Sequence, residues 1–280
     1  MTVWQVPGVA AWRLRRPRAA EWWVGATVFG IAALLLVPGW LAPHDPYALA
    51  VSERFQAPSV AHPFGTDDAG RDIFSRVVHG ARYSLGTSLI VVSVAAVFGT
   101  AYGAVAAWSG GLVDRILMRV VDVFLAFPYL VFAMAIAASL GRGLGSTLIA
   151  LVVLWWPSYA RMVRGQVLSL LKDQHIKAAR TLGASGGQIL RWHVVPHTYD
   201  QVTVRYTLDL GQALVALTGL SFLGLGAQPP SPEWGLLIAD AKQYALTAWW
   251  AAVLPGLVVF LVALNFMAIG DRLRRDGTGR

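Results

Sequence analysis

Residues 83–113 read YSLGTSLIVVSVAAVFGTAYGAVAAWSGGLV, 31 positions without one acidic or basic side chain. A helix rises about 1.5 Å per residue and the hydrocarbon core of a bilayer is about 30 Å thick, so about 20 such residues are enough to cross it. Outward from this stretch the pattern repeats: 22–44, 123–141, 143–160, 210–232 and 243–270 are also free of Asp, Glu, Lys and Arg. The six runs together hold 142 of the 280 residues. Charged residues make up 14% of the chain and hydrophobic ones 56%, whereas about a quarter of a typical soluble protein is charged. Intrinsic disorder, a collagen-like fibre and a soluble nucleic-acid-binding domain are excluded by this composition.

Only helices or closed barrels satisfy their backbone groups in lipid, and runs of this length predict helices. The expected spans are Trp22–Leu41, Leu85–Ala107, Val120–Leu140, Leu144–Arg164, Arg205–Leu223 and Trp249–Ile269. The fold class is therefore all-α, a polytopic membrane protein with six transmembrane helices. The first run follows a basic leader but precedes Pro43-His44-Asp45-Pro46 rather than a small-residue cleavage pattern, so it reads as a retained span. The chain divides into an N-terminal segment (1–21), a first span (22–43), an outer loop with an interfacial helix (44–82), a five-span core (83–269) and a tail (270–280). In the outer loop Phe74, Val77, Val78 and Ala81 share one face of that expected helix.

With the N-terminus inside, the cytoplasmic segments 1–21, 108–119, 161–205 and 270–280 carry 17 of the 23 Lys and Arg residues. Among them are Arg13, Arg15, Arg16, Arg18, Arg115, Arg119, Arg161, Arg164 and Arg272. The opposite loops carry Asp45, Glu53, Asp67, Asp68, Asp72, Glu233 and Asp240. This asymmetry predicts both termini in the cytoplasm. Trp22, Trp23, Trp40, Trp108, Trp155, Trp156, Trp249 and Trp250 are expected near the headgroups, where amphipathic rings are favoured. The net charge of +8 thus marks orientation in a membrane, and nucleic acid is not an expected partner.

About 40 residues separate the fourth run from the fifth. The apolar positions of Gln166–Leu182 predict an amphipathic helix, Gly183, Gly186 and Gly187 interrupt it, and a second short helix over about Gln188–Val195 is expected to end at Pro196. Such a helix, turn and helix form a protrusion that can seat in a groove of another protein.

The string Lys177-Ala178-Ala179-Arg180-Thr181-Leu182-Gly183-Ala184-Ser185, followed by His193-Val194-Val195-Pro196, resembles the EAA loop of permease subunits of ATP-binding-cassette (ABC) importers. Lys177 stands where that family has the glutamate naming the motif, and His193 where it has isoleucine. His62-Pro63-Phe64-Gly65-Thr66-Asp67-Asp68-Ala69-Gly70-Arg71-Asp72-Ile73-Phe74-Ser75-Arg76 is similar to the segment before the second span of the dipeptide and oligopeptide permease C subunit. Leu220-Ser221-Phe222-Leu223-Gly224-Leu225-Gly226 through Pro232-Glu233-Trp234-Gly235 is similar to the same subunit's loop between its last two spans. The resemblance implies the type I ABC importer permease fold in a bacterial inner membrane, and alternating access for di- or oligopeptides. Nickel chelates or glutathione are the alternative cargo. It further implies a homologous permease subunit, one or two ABC ATPase subunits that bind ATP and Mg, and an extracytoplasmic substrate-binding protein. The ATPase-coupling loop it implies, at about 170–197, comprises Ala178, Ala179, Gly183, Ala184, Ser185 and Pro196, with Gly183 permitting a tight turn, the alanines close approach, and Pro196 ending the helix.

The chain itself is expected to be non-catalytic. It has no G-x-x-x-x-G-K-[ST] string with which to cradle ATP and no Cys for a thiolate metal site, so no cofactor is expected in it. His62 or His79 with Asp67, Asp68 and Asp72 could be imagined as metal ligands, but a capped helix accounts for them. Gly99 and Gly103 have the GxxxG spacing of closely packed helices. Asp122 and Asp209 are the ionisable groups within spans, and each is expected to make a contact at the cytoplasmic end. A stand-alone ion-coupled transporter and a membrane scaffold are the competing readings.

Overall fold

The computed structural model describes residues 19–278. The N-terminal arginines Arg13, Arg15, Arg16 and Arg18, and Arg280, lie outside the described residues, as do the side chains of Trp22, Trp23, Arg180 and His193. The described chain is helical, and its one β contact is an isolated bridge between Thr66 and Asp72.

The helices in order are α1 (Ala19–Leu36), α2 (Pro38–Leu41), α3 (Ile73–Ser109), α4 (Gly111–Ala126), α5 (Tyr129–Leu140), α6 (Leu144–Leu170), α7 (Gln174–Thr181), α8 (Gly186–Ile189), α9 (Val195–Phe222), α10 (Trp234–Ala241) and α11 (Trp250–Thr278). Of these, α3, α6 and α11 are each long and apolar enough to cross a membrane. The pair α4 and α5 supplies a fourth span if it is counted as one, although the two helices meet at 90°. The break has a local cause. Pro128 disfavours the helical region for the residue before it, and Phe127 sits extended at φ −92°, ψ 144°. The uninterrupted span expected over Val120–Leu140 is thus corrected to two helices with an elbow.

Three further expectations change. The interfacial helix placed within 44–82 is not a separate element, because Phe74, Val77, Val78 and Ala81 are the opening turns of α3, which continues unbroken for 37 residues. Asp72 caps it, accepting from the Ser75 N–H at 2.8 Å. The tail from Gly270 begins as a continuation of α11. Trp155 and Trp156 do not mark a membrane surface. They are buried mid-helix in α6, where Trp156 meets Phe98, Tyr102 and Phe124, and Trp155 meets Tyr129.

The centre of the bundle is α3 packed on α6. A Cβ on Gly99 would stand 2.4 Å from the Trp156 carbonyl oxygen, and one on Gly103 2.2 Å from that of Ala160. The GxxxG pair therefore lets two backbones touch where any side chain would hold them apart. Around this contact the apolar core gathers Leu85, Val91, Val92, Leu151, Tyr159, Leu214 and Leu217 from α3, α6 and α9.

Candidate functional site

At one end of the bundle α6 runs past the expected limit of its span to Leu170 and closes with i→i−3 bonds, Lys172 N–H to Ser169 O and Asp173 N–H to Leu170 O, both at 3.0 Å. The single amphipathic helix expected over Gln166–Leu182 is thereby split, and α7 starts afresh at Gln174. Gly183, at φ +88°, then turns the chain, while the Ala184 N–H reaches back to Ala179 O and the Leu182 N–H to Ala178 O, each at 3.0 Å. A left-handed residue closing a helix with a bond that reaches five residues back is the glycine-based C-cap. Ser185 opens α8 with a reciprocal cap. Its hydroxyl accepts from the Gln188 N–H, and the Gln188 side-chain carbonyl accepts from the Ser185 N–H at 2.8 Å.

Pro196 does not terminate this segment. Leu190–Val194 form one π-helical turn, with the Val195 N–H bonded five residues back to Leu190 O. Pro196 follows in the first turn of α9, which runs on to Phe222. Proline cannot donate to the ladder and its ring crowds the preceding turn. The widened π turn supplies room where an α turn would clash.

The knob is anchored to the bundle. Ile176 and Ile189 are completely or almost completely buried in a satellite core with Ala107 of α3, Val163 and Val167 of α6, and Val194, and the half-buried Ala184 packs on it. Trp108, in the last turn of α3, lies against Gly186. Ala178, Gly183, Ser185 and Pro196 face outward and Ala179 is half-buried. Leu182 is 88% exposed, and Trp192, Val195 and Tyr199, at helical spacing, form an exposed apolar stripe. Six sequence-expected residues thus lie in one protrusion, with Ala179 and Ala184 toward its base and the other four on its surface. Trp192 and Tyr199 escaped the sequence reading, which placed Trp108 only among the headgroup tryptophans and Gln188 only at a helix start, although the Ser185-x-x-Gln188 spacing is a legible capping signal.

Arginine-carboxylate pairs gather near this end, among them Arg274 with Asp271 at 3.2 Å on α11. Arg164 grips Asp114 through Nε and Nη2, both at 2.7 Å, which ties α6 to the start of α4. Arg161 meets Asp122 at 2.6 Å on an exposed face, and Arg205 Nε donates to Asp209 at 2.9 Å. Asp122 and Asp209 are therefore both held by arginine. Beside Arg205 an open cavity of about 320 Å³ is lined by Tyr129, Trp155, Ser158, Gln212, Val215 and Met267 among others, drawn from α5, α6, α9 and α11. Apolar walls with a few convergent polar groups are the usual make-up of a small-molecule path.

At the opposite end the loop after α9 locks onto α3. Glu233, fully buried, caps α10 by accepting from the N–H groups of Gly235 at 3.0 Å and Leu236 at 2.9 Å, and from the Ser84 hydroxyl at 3.1 Å. Burial raises its carboxyl above the ordinary glutamate range, against the pull of those donors. Trp234 donates its indole N–H to Val77 O at 2.8 Å and its backbone N–H to Ser84 Oγ at 3.1 Å.

The family described as binding-protein-dependent transport system inner membrane component matches residues 99–276. The chain is 39% identical over 241 residues to the probable D,D-dipeptide transport system permease protein DdpC of Escherichia coli (strain K12), covering 86% of this chain and 81% of that protein. It is 43% identical over 223 residues to the dipeptide transport system permease protein DppC of Alkalihalophilus pseudofirmus, covering 80% and 73%. To the glutathione transport system permease protein GsiD of Escherichia coli O6:K15:H31 it is 38% identical over 264 residues, covering 94% and 87%. Among solved structures, an inward-facing conformation of the MetNI methionine ABC transporter superposes with a TM-score of 0.58 at 19% identity, over 73% of this chain and 97% of that one. That likeness is one of fold.

Proposed function

The chain belongs to the family of binding-protein-dependent transport system inner membrane components, and from that premise we propose that it is the permease subunit of an ABC importer for di- or oligopeptides. It is a multi-pass inner membrane protein; α1 and α9 complete six spans, with both termini in the cytoplasm. It works beside a homologous permease subunit, beneath an extracytoplasmic binding protein, and ATP with Mg is bound and hydrolysed in separate ATPase subunits.

The observation that carries this reading is the protrusion at 174–199. Its exposed Leu182, Trp192, Val195 and Tyr199 offer apolar anchors to a groove, while Ile176 and Ile189 fasten it to α3 and α6. A contact can pass on a movement only if its base is stiff, and a buried base provides that. The cavity beside Arg205 is our assignment for the solute path. Its guanidinium suits a carboxylate and its aromatic walls suit side chains. Peptide cargo follows the relatives named for dipeptides; glutathione, itself a small peptide, is the alternative.

Reconstitution into liposomes with cognate permease, ATPase and binding-protein subunits tests the assignment. ATP-dependent dipeptide accumulation that vanishes without the ATPase is the expected result. Uptake by this chain alone on an ion gradient would establish a secondary transporter instead. Uptake unaffected by a bulky residue at Gly183 would favour a scaffold.

A further inference from the structure

We propose that His44, His62 and Asp72 form a binding site for a divalent transition metal, suited to zinc, at the N-terminal end of α3. The three residues come from separate stretches: the turn after α2, the loop before α3, and the cap of α3 itself. One ligand atom from each lies within 4.8 Å of the others.

Asp72 is fixed from two sides. Its Oδ2 accepts from the Ser75 N–H at 2.8 Å, and its Oδ1 is 2.9 Å from His62 Nδ1. His44 Nδ1 lies 3.8 Å from Asp72 Oδ2. The two imidazoles are stacked, with centroids 4.8 Å apart and planes 30° from parallel, so that both Nδ1 atoms face one carboxylate. Ligand atoms about 2.0–2.1 Å from a shared zinc stand roughly 3–3.5 Å from one another, and small rotations of exposed His44 bring this set there.

The surroundings hold the set in place. The His44 N–H donates to Ser75 Oγ at 3.1 Å, which pins its backbone to the first turn of α3. The His62 N–H donates to Ser59 Oγ at 3.1 Å. On the far edge of the His62 ring, Glu53 Oε2 lies 3.6 Å from Nε2. At that distance Glu53 makes no hydrogen bond to the ring, but its carboxylate stands within an ångström of one and would, on closing, hold the tautomer that leaves Nδ1 free as a ligand. Two imidazoles and one carboxylate favour zinc, nickel or copper over magnesium or calcium. His44 is partly open to solvent and leaves a coordination position for water. A bound ion would staple the segment after α2 to the start of α3. This inference stands independently of the transported solute.

The test uses the full chain, purified in detergent without a polyhistidine tag, stripped with EDTA and titrated with zinc chloride by calorimetry while Tm is recorded. One zinc per chain and a zinc-dependent rise in Tm are expected, with no rise from magnesium. His44→Ala, which removes a partly exposed ligand and leaves the Asp72 cap intact, weakens binding at least about tenfold and abolishes the rise. His79→Ala, whose ring contacts Ser75 O outside the cluster, changes neither. Absence of saturable binding, equal binding by the His44→Ala protein, or equal loss on His79→Ala would each overturn the site and leave Asp72 and His62 as a hydrogen-bonded helix cap.

Discussion

The indole of Trp108 rests on Gly186 so closely that a Cβ on the glycine would stand 2.8 Å from Trp108 Cζ2. The last turn of α3 thereby bears directly on the start of α8, at the foot of the exposed knob. Gly186→Val is expected to push the two apart and to cut ATP-driven uptake at least tenfold, at a cost typical of overpacking, about 1–3 kcal/mol. Trp108→Ala in the same chain should restore part of it. Uptake and ATPase rates measured for both single variants and the double variant give the coupling between the pair.

Gly183 at φ +88° and the Ser185 cap shape the tip. Gly183→Val places a branched side chain in left-handed backbone, which costs about 1–2 kcal/mol. Ser185→Ala removes a helix cap worth about 1 kcal/mol. Both are expected to weaken ATPase binding several-fold in a pull-down with purified subunits while the thermal midpoint of the bundle moves little, because both side chains lie outside its core.

Gly99 and Gly103 carry the reverse expectation. Their close approach to Trp156 and Ala160 lies in the centre of the bundle. Gly103→Leu should therefore lower Tm in detergent sharply and reduce the amount of folded protein, whereas Gly25→Leu, where nothing lies within 4 Å of an added Cβ, should not.

Glu233 makes stability depend on pH with a definite sign. Its carboxyl is raised in the folded chain relative to about 4.5 when unfolded. Its contribution is thus complete below that value and is lost as pH rises through the folded one. The difference in Tm between wild type and Glu233→Gln, followed from pH 4 upward, should move against the wild type as pH increases. A difference independent of pH would refute the buried-acid account.

Ser158 and Gln212 line the cavity beside Arg205. Gln212→Trp fills part of it and is expected to reduce dipeptide uptake at least tenfold without preventing co-purification of the ATPase. Loss of assembly together with uptake would place Gln212 in a structural contact instead.

Much of this architecture is legible in the residues themselves, since uncharged runs of span length announce α3, α6 and α11, and the Ala179-to-Gly183 spacing marks the C-cap of α7. What escaped does so for physical reasons. Phe127 and Pro128 sit in an apolar run whose hydropathy carries no record of a 90° bend. Trp155 and Trp156 look like interfacial anchors because an indole suits a headgroup layer as well as a core. Leu190–Val194 read as the end of a short helix stopped by Pro196, and only the five-residue bond to Leu190 reveals that the helix widens and continues. The Arg164 grip on Asp114 and the stacking of His44 on His62 join residues far apart in the chain, so local spacing holds no sign of either.

Without proline or break, α3 extends for 37 residues, about 55 Å at the rise of an α-helix and so well beyond the thickness of the hydrocarbon it crosses. Glu233 and Trp234 clasp it near one tip through Ser84 and Val77, and Gly186 meets the other at Trp108. Were such a beam to rock by about 5°, its far tip would swing by about 5 Å over that length. A tilt imposed at one face of the membrane would then be felt at the other through a single unjointed member.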